Sequence, residues 1–199
     1  MAVEHINRKG QRYYLHEGKT KTGKPKYFFA MKSEGDLLDF IPEGYEIYEN
    51  PNAQVFLRKI PAQIITPEEI AIVREGIRKH AKIDAFIVDV KDKHIVVYLC
   101  DQNVDAFRGL VGLGAWGSDQ MMAKLASSFT YSPMMQFVLV DPQTREFVVE
   151  RWCFRGSVDD WIPLGQSHSL QDLVKNYGCH LGKESFYDLT PWSRTSSKF

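Results

Sequence analysis

Cysteine is scarce in this chain: Cys100, Cys153 and Cys179 are its only three, and no two of them stand close together. An odd, sparse set argues against a disulfide framework and fits a reducing compartment. Apolar runs are short, and none approaches the roughly 20 residues that a membrane-spanning helix needs. The opening residues Met1-Ala-Val-Glu-His-Ile-Asn-Arg-Lys-Gly10 hold no apolar segment of the signal-peptide kind. No fixed-period repeat and no low-complexity stretch interrupts the chain. These absences lead to the expectation of a cytoplasmic protein with no membrane partner.

Net charge is also missing. Lys plus Arg number 25 and Asp plus Glu number 25, whereas a dedicated nucleic-acid coat protein is clearly basic, because phosphate neutralisation supplies its affinity. The balance hides a split, however. Met1 to Lys32 carries eight bases (Arg8, Lys9, Arg12, Lys19, Lys21, Lys24, Lys26, Lys32) against Glu4 and Glu17. Ser33 to Asn50 carries Glu34, Asp36, Asp39, Glu43, Glu46 and Glu49 with no base. The plainer expectation is that these two halves pair their charges across one small sheet. The sharper one is that part of the basic half stays free for a partner.

What is present is ordinary globular material: hydrophobic residues are 44% and charged residues 25% of 199. A chain of this length buries roughly 70% of the surface its unfolded form exposes, so a sizeable core is available. The first 60 residues read as β. Gln11 to Glu17 and Lys24 to Met31 are aromatic-rich strands across the polar loop Gly18-Lys-Thr-Lys-Thr-Gly23. Gly35 to Phe40 reads as a short helical turn. Gly44 to Tyr48 and Ala53 to Lys59 follow as strands about Asn50-Pro51-Asn52, giving a four-stranded antiparallel module.

From residue 61 the pattern changes. Thr66-Pro67-Glu68-Glu69 reads as a capped helix start, and Ile70, Val73 and Ile77 give a buried face to about Ala81. Ala85 to Val90 and His94 to Cys100 form a hairpin, Ser118 to Ser128 a second helix, Met134 to Val140 and Glu146 to Phe154 another hairpin, and Ser169 to Tyr177 a third helix. Lys183 to Leu189 reads as a further short helix. The expected fold is therefore α+β: a β module over 1–60, then a helix–hairpin–helix–hairpin–helix domain over 61–199 with its helices on an antiparallel sheet.

Motifs that carry chemistry are few. Gly18 to Lys24 matches seven positions of a phosphate-binding loop, but Pro25 replaces the magnesium-binding hydroxyl and a strand replaces the helix that must follow. Gly112-Leu-Gly114-Ala-Trp-Gly117 is a literal dinucleotide pattern, yet Asp101 to Val111 separate it from the nearest strand. Cys100, Cys153, Cys179, His168 and His180 lack the close ligand pairs of a zinc site. No cofactor and no metal is expected. For an enzyme, which the residues leave open, the candidates are Arg151, Asp159, Asp160 and His168, a hydrolase-like set without a nucleophile elbow or other local signature.

The N-terminal hairpin is the more physical surface. Lys24, Lys26 and Phe28 share one strand face, while Tyr27 and Phe29 share the other; Arg12, Tyr14 and His16 likewise alternate with Tyr13 and Leu15. Bases interleaved with aromatics can follow a nucleic-acid backbone while stacking its bases. The favoured reading is a non-catalytic protein that binds an acidic partner, nucleic acid or an acidic protein, through Arg12, Lys19, Lys21, Lys24, Lys26 and Tyr27. The alternatives are the hydrolase above and a protein-interaction module using Trp116, Trp161 and Trp192.

Several blocks are distinctive: Lys19-Thr-Lys-Thr-Gly-Lys-Pro-Lys-Tyr-Phe-Phe29, Ile41-Pro-Glu-Gly-Tyr-Glu-Ile-Tyr-Glu-Asn50, Phe137-Val-Leu-Val140, Glu150-Arg-Trp-Cys-Phe-Arg-Gly-Ser157 with Asp159-Asp160-Trp161, and His180-Leu-Gly-Lys-Glu-Ser-Phe186. In this order they resemble a family of uncharacterised bacterial proteins. The resemblance implies a stand-alone bacterial protein and brings no activity, ligand or catalytic residue with it.

Overall fold

A computed structural model of the chain describes residues 1–102, 128–155 and 158–189, with only the backbone of 154, 155 and 158. The expected second helix over 118–128 falls almost wholly outside these residues, and so do the 112–117 glycine pattern, Trp116 and Trp192. The described residues form two compact units. One holds residues 1–61 with 102 and 128–130; the other holds 62–101, 131–155 and 158–189. The architecture is mixed α and β with antiparallel sheets.

In the first unit, β1 (Glu4–Ile6), β2 (Arg12–Lys19) and β3 (Pro25–Ala30) form a three-stranded sheet in that order. β4 (Tyr45–Glu49) and β5 (Val55–Lys59) pair separately as a two-stranded ribbon. The four strands expected in one sheet are thus divided between two, and β1 is an addition. Gly35 to Phe40 is not helical: Leu37 bridges His16 antiparallel, and Leu38 N–H donates to the Leu15 carbonyl at 3.0 Å. That segment lies along β2, where Leu15 and His16, which point to opposite faces, are both buried.

Two side chains fix the turns of this unit. Buried Asn7 accepts from the Lys9 and Gln11 amides and donates to the Ala53 carbonyl at 2.7 Å, closing the β1–β2 turn. Asn50 accepts from the amides of Asn52 and Gln54 and closes the β4–β5 turn.

The second unit is a six-stranded antiparallel sheet. Its strands are β6 (Phe86–Lys91), β7 (His94–Cys100), β8 (Tyr131–Asp141), β9 (Glu146–Arg155) and β10 (Val158–Pro163), ordered β10-β9-β8-β7-β6, with β11 (His168–Ser169) paired to β9. One face carries Ile95, Val97, Met135, Phe137, Leu139, Phe147 and Val149. They pack against Val73 and Ile77 of α1 (Pro67–Ala81) and Leu173, Val174 and Tyr177 of α2 (Leu170–Gly178). Two α-helices are present among the described residues, so the three-helix order is not supported. Lys183 to Leu189 contains a single 3-10 turn, Glu184–Phe186, too short for an α-helix.

The start of α1 is built as the sequence predicts. Thr66 Oγ1 accepts from the Glu69 amide, Glu69 Oε2 accepts from the Thr66 amide at 2.9 Å, and Pro67 takes the first turn. Arg145, at the β8–β9 turn, then donates to Glu69 from both Nε and Nη2 and to the Ile64 carbonyl at 3.1 Å.

Candidate functional site

The β2–β3 hairpin is held shut at its tip by backbone and hydroxyl bonds. Thr20 N–H donates to the Lys24 carbonyl at 2.8 Å, the Lys24 amide donates back to Thr20 Oγ1 at 3.1 Å, and the Gly23 amide donates to the Thr20 carbonyl at 2.9 Å. Gly23 sits at φ +79°, in the left-handed region that glycine enters without steric cost. Lys19, Lys21, Lys24 and Lys26 leave this closed turn and all are exposed. Among the described residues none of the four pairs with an acid.

Two of the six acids expected to neutralise them, Glu46 and Glu49, are engaged elsewhere. Glu46 accepts from Arg58 Nε at 2.8 Å. Glu49 accepts from Arg8 Nε and the Arg8 amide, and His5 Nε2 lies 3.1 Å away. Burial pushes the Glu49 carboxyl up, but the hydrogen bonds from Arg8 and His5 outweigh it and hold the group below the ordinary glutamate range. Charge pairing between the two halves therefore occurs at Arg8–Glu49 and leaves the four lysines out. Arg12, at the start of β2, pairs with Glu4 across the β1–β2 ladder and belongs to that strand pair.

Aromatic side chains accompany the lysines. Phe28 is 40% exposed and stacks on buried His16, with ring centroids 5.4 Å apart and planes within 11°. The His16 ring is itself fixed, since Nε2 donates to the Lys32 carbonyl at 2.9 Å. Lys26 Nζ lies 5.9 Å from the Phe28 ring centroid. Opposite Lys26 stands Gly18, and a Cβ there would meet Phe28 Cε1 at 3.2 Å. The ring thus lies close over the Gly18 position, where an added side chain would press on it. Tyr27 points to the opposite face, edge-on to Tyr45 at 5.9 Å, and is half-buried. The His16–Phe28 stack escapes strand-face reasoning alone, although Gly18 between two aromatic strands was its visible trace.

The residues named for hydrolysis are divided among three strands: Arg151 on β9, Asp159 and Asp160 on β10, and His168 on β11. Arg151 donates from Nε to the Leu189 carbonyl at 2.8 Å, a bond that anchors the chain after the 3-10 turn. His168 stands opposite Phe147 and Asp160 opposite Cys153, so six residues, about 20 Å of strand, separate their register positions. Asp159 and Asp160 are exposed and, as strand neighbours, face opposite ways. Asp160 accepts from the amide of Trp161. His180, the other histidine of this region, has its Nδ1 3.0 Å from Ser185 Oγ across a local turn, a contact the sequence did not single out. Trp161 is half-buried and packs edge-on to Trp152 at 5.0 Å.

Cys153 is buried, and Cys100 and Cys179 are partly so. Among the described residues no three His, Cys, Asp or Glu side chains gather as a metal would require, and no helix is long and apolar enough to cross a membrane. Comparison with protein-family models, with curated proteins and with solved structures finds no match for the chain.

Proposed function

We propose that this protein is a non-catalytic binding protein whose β2–β3 hairpin contacts the phosphate backbone of nucleic acid. The observation that carries the reading is the set of four exposed lysines, Lys19, Lys21, Lys24 and Lys26, left without acidic partners while Glu46 and Glu49 are neutralised by other bases. The hydrogen-bonded tip supports it further, because lysines leaving a fixed backbone lose less freedom on binding than lysines on a loose loop. Arg12 and Tyr27 contribute through the sheet: the first pairs with Glu4 and the second seats the hairpin on Tyr45.

The test is fluorescence anisotropy with a labelled oligonucleotide across a salt series. If all four lysines meet phosphates, log affinity falls with log salt at a slope of roughly −3 to −4. A K19A/K21A/K24A/K26A variant is expected to lose binding and, with it, the slope. No binding by the wild type at low salt overturns the reading, as does a variant that binds unchanged.

A further inference from the structure

Phe28 is an exposed feature of the hairpin that phosphate contact does not require. An exposed phenyl ring beside lysines is costly to hydrate, and a hairpin built only for charge would place a polar side chain there. The ring is also held in one plane. His16 backs one face of it, His16 is tied to the Lys32 carbonyl, and the missing side chain at Gly18 leaves Phe28 room to lie across β2. A flat, fixed, half-exposed aromatic ring next to cations is what an unpaired base needs: its face stacks on the ring while the flanking phosphates meet the ammonium groups. A duplex offers the same phosphates but keeps its base faces inside the stack.

We infer that the hairpin selects single-stranded nucleic acid, with Phe28 as the stacking platform for a base and Lys26 as the adjacent phosphate contact. The inference rests on the phosphate-binding reading above and adds strand class to it. Lys26 Nζ, 5.9 Å from the ring centroid in the free protein, moves to the phosphate when the base takes the ring. A second exposed aromatic in the same unit supplies the comparison. Phe56 on β5 is 45% exposed and stacks on Tyr48 at 6.4 Å, but its cationic neighbour Arg58 is committed to Glu46.

The experiment measures anisotropy of the full chain with a short oligo(dT), about twelve nucleotides long, and with a duplex of equal length. Wild type, F28A, F28Y and F56A are compared over a salt series. The expected result is tighter binding to the single strand than to the duplex. F28A should weaken single-strand binding by about 5- to 150-fold, leaving duplex affinity and the salt slope in place, while F28Y and F56A bind as wild type does. Equal affinity for the two ligands overturns the inference. So does F28A that leaves oligo(dT) binding unchanged, F28A that weakens both ligands alike, or F56A that matches F28A. In those cases lysine-dependent, salt-sensitive binding still stands and only the strand selectivity falls. Binding to neither ligand removes the phosphate reading together with it.

Discussion

At the scale of single residues, the second unit depends on one absent side chain. Gly76 lies in α1 where α2 crosses it, and a Cβ there would stand 2.2 Å from Cγ1 of Val174. Val174 is almost fully buried and β-branched, so it has no free rotamer into which to retreat. Replacing Gly76 by alanine would raise helix propensity by about 1 kcal/mol, and steric overlap works against that gain. A backbone approach this close cannot accept the methyl without separating the helices, so the overlap wins. The expected outcome for Gly76→Ala is a net loss of about 1–3 kcal/mol, read as a lower urea midpoint with unchanged denaturant slope. An unchanged or higher midpoint would show that α1 and α2 can part at no cost. The same logic makes Gly18 informative in the hairpin, where the neighbour is the exposed end of Phe28 and the clearance is 3.2 Å. There the glycine serves the placement of a ring on the surface, whereas Gly76 serves the core.

Among elements, the clearest device joins the start of α1 to the β8–β9 turn. Glu69 is 8% exposed, caps its own helix through Thr66, and receives two bonds from Arg145, which sits at φ +55° to reach it. Removing the guanidinium would leave a buried carboxylate with only the Thr66 amide. Breaking a fully buried pair costs about 3–5 kcal/mol, and the Arg145 side chain is 36% exposed, which lowers the figure. Arg145→Ala is accordingly expected to cost about 2–3 kcal/mol in urea denaturation. The E69A/R145A double variant should lose less than the sum of the singles, because the stranded charge is gone. Strict additivity would show that the two groups do not interact.

Half of this device was legible in the sequence. Thr66-Pro67-Glu68-Glu69 announces a helix start from neighbouring residues, whereas Arg145 lies far along the chain and no local pattern joins it to Glu69. The other differences have the same origin. β1 is three residues long and β11 two, too short to show alternation, and they exist because β2 and β9 offer them a partner. β10 places Asp159 and Asp160 in a strand, where propensity disfavours both, and it is held by six register pairs to β9. Asp36-Leu37-Leu38-Asp39 resembles a helical turn locally and becomes extended where Leu37 bridges His16. In the candidate site, the lysines and their strand faces were readable from alternation. Which acids would reach them was not, because the separation of β4–β5 from the three-stranded sheet decides that Glu46 meets Arg58 and Glu49 meets Arg8.

For the whole molecule, a formal net charge of zero gives no long-range attraction to a polyanion, so any affinity must come from where the charges lie. The Debye length is about 8 Å at physiological ionic strength, and a lysine therefore acts on phosphates near it and little beyond. A charge-matched comparison separates position from total. K19A/K21A/K24A removes three cations from the hairpin, and R74A/R78A/K79A removes three from the exposed face of α1 in the other unit. Both variants acquire the same net charge. If the hairpin is the contact, the first loses most of its oligonucleotide affinity and its salt slope shrinks by roughly 2–3, while the second binds as wild type does. The helix variant forfeits some favourable interaction between its basic last turn and the helix dipole, about 0.3–1 kcal/mol per charge at most, so circular dichroism and a urea midpoint must accompany the binding curve. Equal weakening in two folded variants would mean that total charge sets the affinity, and the unpaired lysines of the hairpin would then lose their claim to be a site.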